Sequence, residues 1–329
     1  MSFRTAVTAL GALFIVLLAA LVFGAVFAPA SASKRAADAA LFPGLRPSLV
    51  RQIEISDATT RIVITKAAGQ DAAGGGWTLD IAGVPYPASQ SRADSFVNDM
   101  AALARGTLVT RDAASLASLG LGAAAGTRVV LRGSGSEVLA ELHAGSAAAG
   151  SQGMYVQPAG HNEVYLTGAA LSGAVTTDRT YWAEMRILPS TVTGDSIIRL
   201  SVAQKGALAF SWTATRERSA QNVNAWVIEG KTSVKIQQDK LSSVASSVAG
   251  ISGGDFLLDS HLAPDESTAQ AVINLTGSDN RSYTLLFGAR QADARYPCVL
   301  VGTPVPWLVP EWRYQEILKS EKAFTTGSP

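Results

Sequence analysis

The chain has 329 residues, more than one compact core usually holds, and this length predicts two globular units. Apolar residues make up 47% of the sequence and charged residues 16%, and the 27 Lys and Arg nearly balance the 26 Asp and Glu, which excludes a broad basic surface for nucleic acid. The single cysteine excludes an internal disulfide, and the three histidines are scattered, so no metal site and no cofactor is expected.

An uncharged apolar segment lies near the start of the chain. Residues 6–28 ("AVTALGALFIVLLAALVFGAVFA") carry no charged side chain, and as a helix they would reach roughly 35 Å, enough to cross a hydrocarbon core of ~30 Å. The alternative is a cleaved signal peptide, since "APASAS" supplies small residues, but the apolar part of a signal peptide is usually about 7 to 15 residues long. We therefore expect residues 1–36 to be a retained membrane anchor and a short linker.

The charges around this segment say little about its orientation, because Arg4 precedes it and Lys34 and Arg35 follow it. Only a few residues precede the segment, so we expect the large C-terminal body to cross the membrane. In a bacterium, this predicts a single-pass protein of the inner (cytoplasmic) membrane, held through residues 6–28, with its body in the periplasm.

A first module is predicted over residues 41–175, and it opens with strands. The segments "VRQIEIS" and "TRIVITKA" are rich in β-branched residues and alternate in polarity, which is typical of antiparallel strands. A third strand holds Trp77. Four more strands are predicted later in the module, at 127–132, 137–143, 154–157 and 163–167.

Between these two groups of strands the sequence predicts one helix. Phe96, Val97 and Met100 fall on one helical face. Ser91 is the expected N-cap, with Asp94 three residues later. The apolar face is expected to pack on the sheet.

The stretch "LRGSGSEVLAELHAG" (residues 131–145) holds three glycines, which raises the question of a phosphate-binding loop. Such a loop leads from a strand into a helix and carries a lysine followed by Ser or Thr. Here the residues after the turn alternate in polarity, as in a strand, and no lysine follows. The stretch therefore predicts the turn of a β-hairpin.

A similar stretch, "LTGSDNRSYTLLFGA", stands at residues 275–289, and other features of the first module recur in the same order. Trp77 corresponds to Trp226, and the helical residue Phe96 corresponds to Val244, with offsets that stay between 143 and 149 residues. This predicts a tandem duplication whose second copy spans residues 187–320. The expected fold class is α+β: an N-terminal transmembrane helix followed by two copies of a mainly antiparallel sheet with one packed helix.

A connector at residues 176–190 ("TTDRTYWAEMRILPS") joins the two modules, and residues 321–329 are expected to form a flexible tail. Trp77 and Trp226 are interpreted as repeated core anchors because they occupy matching positions. Five less symmetrical residues are candidates for module-interface or partner contacts: Tyr181, Trp182, Met185, Trp307 and Trp312.

No catalytic residue is predicted. Nucleophilic catalysis needs Ser or Cys with a histidine base and an orienting acid. Cys298 lies in a strand-like segment and is interpreted as a small core residue. His143 and His161 are interpreted as strand and turn residues, and sequence cannot show whether carboxylates converge in a cleft.

Several of these segments together resemble a bacterial family of unknown function, number 4340: "GGGWTL", "LASLGLG", "VVLRGSGSEVLAELHAG", "GMYVQPAGHNEVYL" and "DRTYWAEM". The likeness covers mainly residues 50–185, and the second module is similar to a divergent second copy. Members of that family are often membrane-anchored and linked with gliding-motility-type ABC transporter components. The resemblance implies no active-site residues.

These observations predict a non-enzymatic, membrane-anchored auxiliary or scaffold subunit of an envelope complex, beside the integral membrane subunits of an ABC-type transporter. The alternative is a periplasmic module that binds a lipid or a glycan. An envelope hydrolase is the third hypothesis, and it requires a convergent Ser/His/Asp cleft or a pair of carboxylates.

Overall fold

The computed structural model describes residues 18, 38–67, 76–122, 125–148, 150, 153–168, 171–218, 224–231 and 234–326. Within them the protein is a mixed α+β chain with two large antiparallel sheets and few helices. The chain forms two compact units. The first contains residues 1–79 and 88–181, and the second contains residues 80–87 and 182–329.

The first sheet has nine strands, in the order β4-β3-β2-β1-β6-β7-β8-β9-β5. Its core side is built by alternating apolar residues such as Ile53, Ile55 and Leu142, none of which is measurably exposed. The strands are β1 (Gln52–Ser56), β2 (Arg61–Lys66), β3 (Trp77–Ile81), β4 (Val84–Pro87), β5 (Thr107–Thr110), β6 (Thr127–Arg132), β7 (Val138–Ala147), β8 (Met154–Pro158) and β9 (Val164–Thr167).

The second sheet has eight strands, in the order β12-β11-β10-β15-β16-β17-β18-β14. A separate pair joins β13 (Lys235–Ile236) to β19 (Thr325–Thr326). The eight strands are β10 (Ile197–Gln204), β11 (Phe210–Arg218), β12 (Asn224–Ile228), β14 (Asp255–Phe256), β15 (Ala271–Gly277), β16 (Ser282–Phe287), β17 (Arg295–Leu300) and β18 (Pro306–Pro310).

Eight strands of the first sheet and the eight strands of the second sheet follow the same spatial order. The order β3-β2-β1-β6-β7-β8-β9-β5 corresponds, strand by strand, to β12-β11-β10-β15-β16-β17-β18-β14. The longest helices also match: α1 (Gln90–Ala102) follows β4, and α3 (Gln238–Ala249) follows β13. A short helix α2 (Arg179–Trp182) contains the boundary in the chain between the two units, and α4 (Glu311–Ile317) follows β18.

The glycine-rich stretch at 131–145 forms a hairpin, as predicted. β6 and β7 pair antiparallel, and the turn closes with the Gly133 amide donating to the Glu137 carbonyl at 3.0 Å. The second stretch closes in the same way, with the Gly277 amide donating to the Arg281 carbonyl at 2.8 Å.

The expected N-cap at Ser91 is wrong, because α1 begins at Gln90 with Ser89 as its N-cap. Ser91 lies inside the helix. The Asp94 carboxylate, expected to complete the cap, instead accepts a hydrogen bond from the Trp77 indole at 2.8 Å.

The sequence analysis did not predict β5 and β14, two short strands at sheet edges.

Residues 321–326 do not form the flexible tail that was expected. They contain a 3-10 helix (Glu321–Ala323) and strand β19. Phe324 is fully buried and packs edge to face on Trp212, with ring centroids 5.0 Å apart. This aromatic contact holds the segment, and residues 327–329 lie outside the described residues.

The predicted membrane anchor at residues 6–28 lies outside the described residues apart from Leu18. Among the described helices, none has the length and apolar character needed to cross a bilayer.

Candidate functional site

In the first unit, Trp77 is fixed by a set of contacts from helix α1. The Gln90 side chain accepts a hydrogen bond from the Trp77 amide at 2.6 Å and donates one to the Trp77 carbonyl at 3.0 Å. The indole donates to Asp94, and the Lys66 ammonium lies 5.1 Å from the ring centroid. The glutamine thus satisfies the backbone of the first residue of β3, and this ties the strand to the helix.

The second unit repeats this arrangement around Trp226. The Gln238 side chain accepts from the Trp226 amide at 2.7 Å and donates to its carbonyl at 3.0 Å. The indole donates to Ser242 at 3.2 Å, and the Arg216 guanidinium lies 4.7 Å from the ring centroid. Because both tryptophans are 2% exposed, we interpret them as structural anchors that are closed to ligands.

The two sheets differ on the face that points away from the apolar core. In the first sheet this face carries Glu54, and we call it the Glu54 face. The Glu54 carboxylate is 6% exposed and lies 2.9 Å from Arg61, 3.5 Å from Arg128 and 3.6 Å from Arg132. Arg128 also donates to Glu141 at 2.8 Å. The hydrogen bond and charge of Arg61, followed by the charges of the other two arginines, lower the pKa of Glu54 against an opposing effect of burial.

A polar row crosses four neighbouring strands of the Glu54 face. Direct cross-strand pairs join Ser56 to Arg128, Arg128 to His143, and His143 to Gln157. All four side chains are half-buried and line a cavity of about 400 Å³. We call these four residues the polar row. Asp57, Ala58, Leu121, Gly122 and Gly126 complete the cavity wall.

The second sheet has apolar residues at the same four places. The cross-strand pairs there join Ala203 to Val272, Val272 to Leu286, and Leu286 to Val299. Elsewhere on this sheet the Thr284 hydroxyl donates to Asn274 at 2.7 Å, and Arg199 pairs with Glu229 at 3.1 Å. The polar row is therefore not a requirement of this sheet architecture.

The cavity collects Ser56, Asp57 and His143, the residue types of a hydrolase triad. The strand register keeps them apart, because β6 lies between Ser56 and His143 and two strand spacings amount to roughly 10 Å. The described residues show no hydrogen bond from Ser56 to His143, which a serine nucleophile needs. The Asp57 carboxylate accepts hydrogen bonds from the Thr59 and Thr60 amides and from the Thr177 hydroxyl.

These hydrogen bonds, the one from Thr177 first, hold the pKa of Asp57 well below its usual range. The group is thus a permanent acceptor that fixes the turn after β1 and does not orient a histidine. The single cysteine is also unsuited to act as a nucleophile. Cys298 is fully buried in β17, and burial raises the pKa of its thiol.

A close backbone approach shapes one wall of the cavity. A Cβ atom on Gly145 would lie 2.3 Å from the Leu119 carbonyl oxygen, so only glycine lets the segment before Leu121 reach β7. Gly120 has φ of +72° and would bring a Cβ within 2.6 Å of the Ser146 amide nitrogen. The last glycine of the 131–145 stretch therefore positions a loop beside the cavity.

The five candidate contact residues lie in different environments. Tyr181 is half-buried in the first unit, with the Arg92 guanidinium 4.9 Å from its ring centroid. In the second unit Trp182 is fully buried, and the carbonyl of half-buried Met185 accepts from the Gly253 amide at 2.8 Å. These three residues are not brought together with the polar row.

Trp307 is 3% exposed and packs edge to face on Tyr86 within the second unit, with ring centroids 4.9 Å apart. The Tyr86 hydroxyl donates to the Pro306 carbonyl at 2.6 Å, and burial raises the pKa of this tyrosine to about 12. Trp312 differs, because it is 60% exposed on α4. Of the five candidates, Trp312 presents the most accessible ring to a partner.

Sequence reasoning missed three members of the polar row and set the fourth, His143, aside as a strand residue. A usable signal was present in the internal repeat. Where two copies align, a polar residue in one copy opposite an apolar residue in the other marks a position that the fold does not dictate.

Within the described residues, the fold defines a two-unit α+β protein with a polar cavity on the first sheet. A family model described as "Domain of unknown function (DUF4340)" matches residues 77–271, more than half of the chain. The chain belongs to this family. The match runs from β3 of the first sheet to the first residue of β15 in the second. No curated protein matches the chain, and no solved structure does.

Proposed function

We propose that this protein is a non-enzymatic, membrane-anchored accessory or scaffold subunit of a bacterial envelope complex, working beside an ABC-type transporter. The arrangement of residues in the cavity supports the part of the proposal that gives the protein no enzymatic activity. Its serine and histidine are two strands apart, and its aspartate is held by backbone amides and a threonine. The resemblance that motivates the transporter partner is to a family whose members are often found with such transporters.

We further propose that the anchor is residues 6–28, in the inner membrane, with the body in the periplasm. The uncharged length of this segment supports the anchor. In this arrangement the integral membrane subunits of the transporter are the direct partners.

The body is proposed to be an internal duplication, with copies over residues 41–175 and 187–320 and a connector at 176–190. The common strand order supports it. The paired tryptophan contacts support it further, because the same glutamine hydrogen bonds recur about one repeat length apart.

The test is affinity purification of the tagged full chain from its native membrane in a mild detergent. We expect a permease subunit and an ATPase subunit to co-purify in fixed proportion. An unrelated single-pass protein with the same tag serves as the control. Recovery of the chain alone, or of the same proteins with the control, would contradict the proposal.

A further inference from the structure

We infer that the first unit binds a neutral, hydroxyl-rich ligand of the size of one or two sugar units in the cavity on the Glu54 face. This inference goes beyond the accessory role. It also separates the two ligand classes expected from sequence, since five of the nine residues that line the cavity have polar side chains, which suits a glycan better than a lipid chain.

The polar row offers both donors and acceptors to the cavity. Among the described residues, the Ser56 hydroxyl and the His143 imidazole have no side-chain hydrogen-bond partner. The Gln157 amide nitrogen donates to the His161 carbonyl at 2.9 Å, and its amide oxygen accepts no hydrogen bond from the described residues. Because these groups line an open cavity, they are available to water or to a ligand.

The charges around the cavity favour a neutral ligand. Three arginines, Arg61, Arg128 and Arg132, are matched by three carboxylates, Glu54, Glu141 and Asp57. Arg128, the one arginine in the cavity wall, already donates to Glu141 and lies 3.5 Å from Glu54. An anionic ligand would have to compete with these two carboxylates.

The second unit supplies the internal comparison. The same four places hold Ala203, Val272, Leu286 and Val299, so the sheet folds with apolar side chains there. The fold therefore does not require the side chains of Ser56, His143 and Gln157, whereas Arg128 pairs with Glu54 and Glu141. The cavity volume of about 400 Å³ lies within the ~300–1,000 Å³ of small-molecule sites.

The experiment is saturation-transfer NMR on the full chain in a zwitterionic detergent that carries no sugar headgroup. The probes are glucose, N-acetylglucosamine and maltose, with glucuronate as the anionic comparison, each at about 10 mM to reveal complexes with Kd near 1 mM. We expect transfer to at least one neutral sugar and weaker transfer to glucuronate. No transfer to any neutral sugar, or a preference for glucuronate, would overturn the inference.

The variant S56A/H143L/Q157V replaces three members of the polar row by the residues of the second unit and keeps Arg128 in place for Glu54. We expect affinity for the bound sugar to fall at least about tenfold. The control is S201A/T213V, which removes a hydroxyl pair 3.1 Å apart on the second sheet and should leave binding unchanged. Equal binding by wild type and the triple variant would overturn the inference.

If the triple variant does not fold, the single variant Q157V replaces it in the test. We expect Q157V to lose binding at unchanged thermal stability.

A free sugar and a unit of an envelope glycan present the same hydroxyls, and binding of maltohexaose distinguishes these two sources. Tighter binding of maltohexaose than of maltose indicates a polymer, and equal binding indicates a free sugar. The co-purification experiment tests the accessory role by itself, so a failure of sugar binding does not decide whether the protein associates with transporter subunits.

Discussion

The two sheets share a strand order and a tryptophan contact, but they differ in the row of side chains that crosses their outward faces. Ser56, Arg128, His143 and Gln157 stand in the first sheet where Ala203, Val272, Leu286 and Val299 stand in the second. What both units retain is needed to fold either of them. Of the groups that only the first unit has, the Glu54 ion pairs stabilise its fold, and the side chains of Ser56, His143 and Gln157 are available to a ligand.

The shared part is local and specific. In each unit one glutamine at the first turn of a helix satisfies both backbone groups of a buried tryptophan. A cation above each indole adds a smaller attraction. The comparison therefore predicts equal effects of equal substitutions in the two units.

Removal of the indoles is the largest expected effect. Trp77→Ala and Trp226→Ala each delete a side chain that is 2% exposed, and such truncations typically cost about 3–5 kcal/mol of unfolding free energy. We expect similar costs, with faster amide exchange confined to α1 in the first variant and to α3 in the second. Urea denaturation with peptide-resolved exchange measures both.

Trp312→Ala is the control for these variants, because this side chain is 60% exposed and its loss should be nearly neutral. A large cost from one buried tryptophan and a small cost from the other would break the equivalence of the two units.

Loss of the glutamine contacts is expected to have a smaller effect. Gln90→Ala and Gln238→Ala each leave a partly buried amide and carbonyl without their side-chain partner, which costs about 1–3 kcal/mol. Gln90→Glu keeps the acceptor and loses the donor, so its cost should fall between wild type and Ala. Equal stability of wild type and both Ala variants would show that these hydrogen bonds do not hold the strand to the helix.

The smallest expected effect comes from the Glu54 carboxylate and its three arginine partners, a cluster that the described part of the second unit lacks. The pKa of Glu54 is lowered in the folded state, so its carboxylate stabilises the fold above its unfolded pKa of about 4.3, and this contribution is lost as the pH falls below that value. Glu54→Gln should cost about 1 kcal/mol at neutral pH, since its arginine partners are partly exposed.

Denaturant midpoints from pH 7 to pH 3 check this prediction. Wild type should lose more stability than Glu54→Gln as the pH falls, so the two curves converge. Glu266→Gln, at an exposed position with no ion pair in the described chain, is the control and should run parallel to wild type. Parallel curves for Glu54→Gln would contradict the role given to this carboxylate.

Much of each sheet was predictable because alternation and β-branched residues mark long strands locally. The segments around Ile53, Ile62 and Trp77 became β1, β2 and β3, close to their predicted bounds. β5 and β14 were missed because edge strands of four and two residues carry too short a pattern. The N-cap was misplaced because Gln90 and Asp94 serve Trp77, a contact that helix rules do not contain.

The candidate site was harder to predict, since its residues come from four strands spread over about 100 positions. Their proximity depends on the cross-strand register, which joins Ser56 through Arg128 and His143 to Gln157. His143 was set aside because a lone histidine in a strand carries no chemistry until its neighbours are known. Phe324 was missed as an anchor because its partner, Trp212, lies more than 100 residues away.

The central claim is that the first unit binds a neutral sugar and the second unit does not. Amide exchange of the full chain with and without a saturating neutral sugar tests this claim most directly. The account predicts slower exchange in β1, β6, β7 and β8, and unchanged exchange in β10, β15, β16 and β17. Protection in the second sheet, or equal protection in both, would contradict it.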